Sequence, residues 1–190
     1  MTHARSPRRN THPSPPSVAI GSVSTPMGDF GALFTDHGLA CLTFPAEGKG
    51  ACEAWARIRV PSARRVDAPQ WFHALAAVLT AYFDGELRAF STTVDLRGTA
   101  FQCRVWEALR AIPYGETRSY GYIANAIGLP RAVRAVGAAN GANPVPIIVP
   151  CHRVIGSNGT LTGYGGGLSL KERLLVLEGW SGVSISGSAA

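Results

Sequence analysis

Apolar positions in the first quarter of the chain come in short runs broken by turn residues. VAIGSV, FGALFTD and GLACLTF are separated by TPMGD and DHG. Runs of that length, punctuated by Gly, Pro and Asp, predict antiparallel strands joined by hairpins between about 18 and 45. Residues 46–66 hold no such pattern and read as irregular and polar. From 69 to 83, PQWFHALAAVLTAYF places Phe72, Leu75, Ala76, Leu79 and Phe83 at helical spacing, and Asp84-Gly85 stops the helix. STTVDLRG reads as a short strand or linker, with a domain boundary near 92–98.

The second half has a helical period. Thr99 suits the cap of a helix over 100–111, with Phe101, Val105, Trp106 and Leu109 on one side. Ser119 caps a second helix, SYGYIANAIG, which Gly128 closes. Pro130 fits the first turn of a third, PRAVRAVGAANG. Two short helices joined by Gly-Leu-Pro resemble a helix-turn-helix, a pattern shared with many helical hairpins that bind nothing. SLKERLLVLEG predicts a last amphipathic helix ended by Gly179. Between Ala132 and Ala139 the only long side chain is Arg134. So slim a helix suits either tight packing or close approach to another surface. A buried Arg134 would need a partner, because an unpaired charge in a core is very costly; an exposed one is a single probe.

With 190 residues, 46% of them hydrophobic, the chain can build one large or two small cores. No apolar run approaches the roughly 18 residues of a membrane span, and the basic start lacks the apolar region of a secretory signal. Residues 1–17 hold four prolines and little to bury, and read as a disordered tail; residues 181–190 read as a flexible one. The net charge of +6 is uneven: residues 97–153 carry seven arginines against Glu107 and Glu116. A basic region attracts phosphate backbones, although a solvated arginine surface has the same composition. The four cysteines, 41, 52, 103 and 151, form no CxxC pair and no zinc-ligand spacing. A reduced, cytoplasmic protein is the simpler expectation.

One string carries candidate chemistry: NPVPIIVPCHRVIG, residues 143–156. A free thiol has a pKa near 8.5, so a cysteine nucleophile needs a neighbouring base or positive charge. His152 and Arg153 follow Cys151 directly. Adjacent side chains diverge in a strand, so cooperation requires a turn at Pro150-Cys151. A bare Cys-His pair reads equally as a buried structural cysteine beside a histidine satisfied by a carbonyl.

The longer strings carry more. FQCRVWEALRAIPYGETRSYGYIANAIG, RAVRAVGAANGANPVPIIVPCHRVIG and GTLTGYGGGLSLKERLLVLEG together resemble the O6-alkylguanine-DNA alkyltransferases, also called methylated-DNA–protein-cysteine methyltransferases. TPMGDFGALFTDHGLACLTF is similar to the start of the family's N-terminal domain, so the resemblance covers most of 22–179. It implies an α+β fold: an N-terminal RNase H-like α/β domain with antiparallel strands (18–92), a linker (93–98), and a mostly helical, winged helix-turn-helix-like domain (99–180) that binds DNA and holds the active site.

The resemblance also implies roles. Cys151 would accept the alkyl group, with His152 as base through a bridging water and Glu178 holding the histidine tautomer. Asn143 would join that network, and Tyr120 would offer its phenol to guanine. Arg134 would fill the gap left by an extruded nucleotide, on a DNA-contacting surface with Arg131, Ala132, Ala135 and Gly137. Tyr164, Gly165, Val154 and Val149 would line the base pocket, the main chain of Cys151, Val154 and Gly165 reading the guanine edge. Glycines 165–167 suggest room for groups larger than methyl. The implied partner is alkylated double-stranded DNA, met by a monomer with no metal, no organic cofactor, no membrane and no obligate protein partner. Asn140-Gly141 departs from relatives that carry a further basic residue there, which implies weaker non-specific DNA binding. Cys103 is expected in the core. Two other readings are a lesion sensor that binds DNA without transfer, whose known forms lack the cysteine, and a cysteine hydrolase built on Cys151, His152 and Asn143. The adjacency of the two residues speaks against the hydrolase, since such enzymes draw their histidine from a distant segment.

Overall fold

The computed structural model describes residues 15–182. The expected loose ends at 1–14 and 183–190 lie outside the described residues. The expected tail was drawn too long, because Ser17 already belongs to a strand and the Pro16 carbonyl accepts from the Arg64 amide at 2.9 Å.

Strands β1 (Ser17–Thr25), β2 (Gly28–Thr35) and β3 (Gly38–Thr43) form the expected antiparallel meander, and β4 (Arg64–Arg65) adds in parallel to β1, giving the order β3-β2-β1-β4. β2 is apolar along nearly its whole length because both of its faces are covered. Phe30, Ala32 and Phe34 share a core with Leu75 and Leu79 of helix α2 (Pro69–Phe83); Leu33 shares another with Cys52 of helix α1 (Gly48–Arg59). Leu33 pairs with Cys41 but Phe34 with Leu39, so Ala40 is an extra residue in β3. This bulge lets Leu39 and Leu42 face the α2 core while Cys41 faces α1. Cys41 and Cys52 meet there as free thiols, Sγ to Sγ 3.5 Å.

Helix α1 corrects the expectation of an irregular 46–66. Its sequence hides it: two glycines open it, its N-cap Glu47 makes no side-chain cap bond, and Cys52 is its only fully buried residue. The Glu47 carboxylate instead accepts from the Phe44 amide at 3.0 Å. Helix α2 has the bounds expected from the apolar period, with Pro69 in its first turn.

Residues 92–98 run along the free edge of β3. Leu39 N–H donates to Thr93 O and Asp95 N–H to Leu39 O, both at 2.9 Å. The Asp95 carboxylate accepts from the Thr35 hydroxyl at 2.6 Å and from Arg97 Nε at 2.8 Å. Helix α3 (Ala100–Arg110) then starts with a complete capping box between Thr99 and Gln102. Strand β5 (Arg118–Ser119) leads into α4 (Tyr120–Ala126), capped by Ser119 Oγ. Helix α5 (Val133–Gly141) begins three residues later than Pro130 suggested. Pro130 and Arg131 form a turn instead, closed by Ala132 N–H on Leu129 O at 2.8 Å; the fixed φ of proline suits a turn as well as a helix start. Trp106 Nε1 donates to Ala139 O at 2.8 Å and ties α3 to α5. Strand β6 (Val154–Ile155) pairs in parallel with β5, and α6 (Leu168–Leu177) is the last helix among the described residues. One core cluster includes Leu75, Leu79 and Tyr82 together with Trp106, Val136, Ile147, Val149 and Leu174, so both halves pack against the segment leading to Cys151. Among the described residues no helix is long and apolar enough to cross a membrane.

The strap along β3 depends on Gly38, whose φ is +128°; a Cβ there would stand 2.5 Å from Thr93 O. Gly38→Ala is expected to lower stability by about 2–3 kcal/mol, read from a urea midpoint at unchanged slope. Gly50→Ala, on α1 with nothing within 4 Å of the new methyl group, is expected to be neutral or stabilising.

Candidate active site and nucleic-acid face

The segment 144–155 is buried along its whole length. Asn143 sets its shape: Nδ2 donates to Val149 O at 2.8 Å, and Oδ1 accepts from Val145 N–H at 3.0 Å. Inside this loop Ile147 has φ +73°, a region costly for a β-branched residue. Leu42 N–H donates to Pro144 O at 2.8 Å, so the loop is also tied to β3. After Pro150 the chain makes the tight turn that cooperation between neighbouring side chains requires, a single 3-10 turn over Cys151–Arg153.

That turn and the end of α6 meet at Glu178. Its Oε1 accepts from Tyr82 Oη at 2.6 Å, from His152 Nε2 at 2.9 Å and from Arg153 Nη2 at 2.9 Å. Its Oε2 accepts from Arg153 Nε at 2.8 Å and from Gly115 N–H at 3.3 Å. Burial alone would raise this carboxyl; the hydrogen bonds from His152 and Arg153 outweigh it and bring the pKa down to about 2. Arg153 also donates to Ile112 O at 2.6 Å, so its buried charge is paired and hydrogen-bonded.

The carboxylate fixes the His152 proton on Nε2. Nδ1 is then a bare lone pair, buried and without a partner among the described residues. Burial pushes His152 below its ordinary pKa, against the hydrogen bond and charge of Glu178, so the ring is a neutral base at pH 7. Cys151 is 4% exposed. Burial pushes its thiol up to about 11, opposed by hydrogen bonding from Asn143 and by the charge of Lys171. Lys171 is itself fully buried, donating to Val154 O at 2.6 Å and Thr162 O at 3.1 Å. Burial lowers it to about 8, while Cys151 acts the other way.

Tyr120 Oη lies 2.8 Å from Thr162 Oγ1. The Tyr164 hydroxyl is buried and unpartnered among the described residues, and its ring meets Phe44 at 5.3 Å in an edge contact. Gly165 also lies against Phe44. Val149 and Val154 are buried. Val154 N–H donates to Cys151 O, and Val154 O accepts from Lys171, so the main chain expected to read guanine already has internal partners; each carbonyl keeps a second lone pair. On α5, Val136, Ala139 and Asn140 point inward. Arg131, Arg134 and Ala135 are exposed, Ala132 and Gly137 half-buried. Gly137 faces the Tyr120 ring, which a Cβ would approach to 3.8 Å.

Reading the sequence missed three residues of this site. In the sequence Arg153 is a candidate positive charge beside Cys151, not a partner of Glu178, and Lys171 is one residue of an amphipathic helix with nothing to mark it. Tyr82 lay beside Phe83, which was assigned to the apolar stripe. A buried tyrosine needs a partner for its hydroxyl, but nothing in the sequence names one 96 residues away. Among the described residues no three His, Cys, Asp or Glu side chains gather as metal ligands.

Because the folded-state pKa of Glu178 is depressed from 4.5 to about 2, its contribution to stability is complete above the higher value and lost as pH falls toward the lower. Urea unfolding between pH 6 and pH 2 is expected to show a loss of about 3 kcal/mol in that window, and Glu178→Gln is expected to flatten it.

Residues 100–180 match the family model described as 6-O-methylguanine DNA methyltransferase, DNA binding domain. A methylated-DNA–protein-cysteine methyltransferase of Mycolicibacterium paratuberculosis is 63% identical over 110 residues, 58% of this chain and 67% of the relative. The protein of that name from Methanosarcina barkeri is 48% identical over 156 residues, 82% of this chain and 94% of the relative. A crystal structure of O6-methylguanine methyltransferase from Mycobacterium tuberculosis superposes with a TM-score of 0.70 at 47% identity, covering 85% of this chain and 92% of the other. In a further structure the Mycobacterium tuberculosis protein is in complex with DNA, with a TM-score of 0.69 at 46% identity and the same coverage. A mixed α+β fold and a buried Cys-His-Glu constellation thus coincide with extensive likeness, and the chain belongs to the methylated-DNA–protein-cysteine methyltransferase family.

Proposed function

We propose that this protein repairs DNA by direct reversal, moving the alkyl group of O6-alkylguanine irreversibly onto Cys151. The observation that carries the reading is the buried His152–Glu178 pair in the turn that holds Cys151, with the Nδ1 lone pair of His152 free to take a proton. The thiol proton passes to Nδ1 through a bridging water. In the same step the sulfur forms a C–S bond as the bond between the alkyl carbon and O6 breaks. Tyr120 turns its phenol from Thr162 to the guanine and gives it a proton, so the purine leaves neutral, and the proton held on His152 is afterwards returned to the phenolate through solvent. A thioether has no step that regenerates the thiol, so each molecule acts once. The same chemistry extends to O4-alkylthymine and needs neither metal nor organic cofactor.

A lesion inside a duplex cannot reach the sulfur of the buried Cys151, so the nucleotide must leave the stack. The slim α5 helix fits a minor groove, where little sequence is read. Arg134 is exposed and makes no hydrogen bond or ion pair among the described residues; it enters the stack in place of the extruded base. Arg131, Ala132, Ala135 and Gly137 supply the surface that lies against the backbone. Tyr164, Gly165, Val149 and Val154 receive the base. We assign the N-terminal half (18–92) an RNase H-like architecture and the C-terminal half (99–180) a winged helix-turn-helix one, joined by the strap at 93–98. The protein acts as a cytoplasmic monomer on alkylated double-stranded DNA. A pure lesion sensor does not need the buried base beside the thiol.

Incubation with an oligonucleotide containing O6-methylguanine is expected to add one methyl group to the protein mass, located on the Cys151 peptide, and to restore guanine. An unchanged mass with DNA bound would overturn the transfer reading. Cys151→Ser is expected to abolish transfer and keep DNA binding. Arg134→Ala is expected to slow repair of duplex DNA by at least about tenfold while leaving the reaction with free O6-benzylguanine nearly unchanged; equal slowing of both would remove Arg134 from the flipping step.

A further inference from the structure

We propose that Tyr82, supplied by the last turn of α2 in the N-terminal half, is a positioning residue of the transfer reaction. Its hydroxyl fixes Oε1 of Glu178 and limits how tightly that oxygen holds the His152 proton. The inference rests on the reading of His152 as the base.

Among the described residues Tyr82 is the one side chain of the N-terminal half hydrogen-bonded to this constellation. Its Oη is 2.6 Å from Glu178 Oε1 and 3.5 Å from His152 Nε2. Two donors, a phenol and an imidazole, therefore converge on one carboxylate oxygen, with Arg153 Nη2 as a third. The ring is fully buried and held between Phe90, at 5.0 Å between centroids, Phe83 at 5.5 Å and Tyr114 at 6.3 Å, so the hydroxyl cannot swing away. Burial, together with the charge of Glu178, pushes the phenol well above its ordinary pKa, so it donates at every working pH.

Three donors share the electron density of Oε1. Each one weakens the pull of that oxygen on the others. With Tyr82 in place, Glu178 orients His152 without drawing its proton strongly, which keeps Nδ1 unprotonated and available near neutral pH. The ionisable groups facing His152 are Glu178 and Lys171 from α6, Arg153 and Cys151 from its own turn, and Tyr82 from α2. Of these Tyr82 can be altered by a single hydroxyl without changing a charge.

The test is Tyr82→Phe, which keeps the ring. Relieved of one competitor, Oε1 holds the His152 proton harder and the imidazole becomes more basic. The acid limb of the transfer rate against pH is expected to move up by about half a unit to one unit. The plateau rate is expected to fall roughly three- to tenfold. Phe90→Leu, which loosens the same packing and removes no hydroxyl, is expected to lower the unfolding midpoint and leave the acid limb where it was. If Tyr82→Phe fails to fold, 3-fluorotyrosine at position 82, a stronger donor, is expected to move the limb down. An unmoved limb in Tyr82→Phe, or an equal movement in Phe90→Leu, overturns the proposal. Nuclear magnetic resonance titration of His152 in the free protein separates the two levels: no alkyl transfer by the wild type sinks the proposed function, whereas an imidazole pKa unchanged by Tyr82→Phe sinks the role of Tyr82.

Discussion

Everything at the centre of this molecule is arranged around one buried negative charge. Glu178 is the point where α2, the loop at Gly115, the turn over Cys151–Arg153 and the end of α6 meet. A lone carboxylate at that depth would be protonated, and a lone Arg153 beside it would be too costly to bury. Together, with every lone pair occupied, they form a compact polar core inside an apolar one. Such a pair adds little stability over hydrophobic residues of the same volume. What it adds is orientation: it leaves one tautomer of His152 and one geometry for the turn that carries the thiol.

The thiol itself is held in reserve. In the free protein Cys151 is protonated, because desolvation outweighs Asn143 and Lys171. Its reactivity therefore depends on the arrival of the substrate. In the proposed reaction a docked purine brings the alkyl carbon in line and closes the path to Nδ1, so ionisation and bond formation occur together. A sulfur that is quiet until then avoids the oxidants and metals that attack an exposed thiolate.

Much of the fold was legible in the sequence because local signals agreed with tertiary demand. The hairpins of β1–β3, the bounds of α2 and the Thr99 cap all followed from period and punctuation. Helix α1 was not legible, since its glycine-rich start and single buried cysteine give almost no apolar stripe. The late start of α5 was missed because a proline marks turns and helix starts alike. Within the site, Cys151, His152, Glu178 and Asn143 stood out through the resemblance and come together around one turn. Tyr82, Arg153 and Lys171 did not, for a common reason. Each answers a partner far away in the chain, and the need of a buried polar group for a partner leaves no periodic trace. The meeting of Cys41 and Cys52 was hidden in the same way, created by a one-residue bulge that no spacing rule anticipates.

Ile147 is the least comfortable residue of the site, a branched side chain in a left-handed backbone conformation, yet it is fully buried. Glycine would relax the backbone there, but it would also leave a hole in the core cluster and loosen the loop ahead of the sulfur. The two demands pull mutational drift in opposite directions. Backbone comfort at this one position is given up for the firmness of the ledge that carries the sulfur.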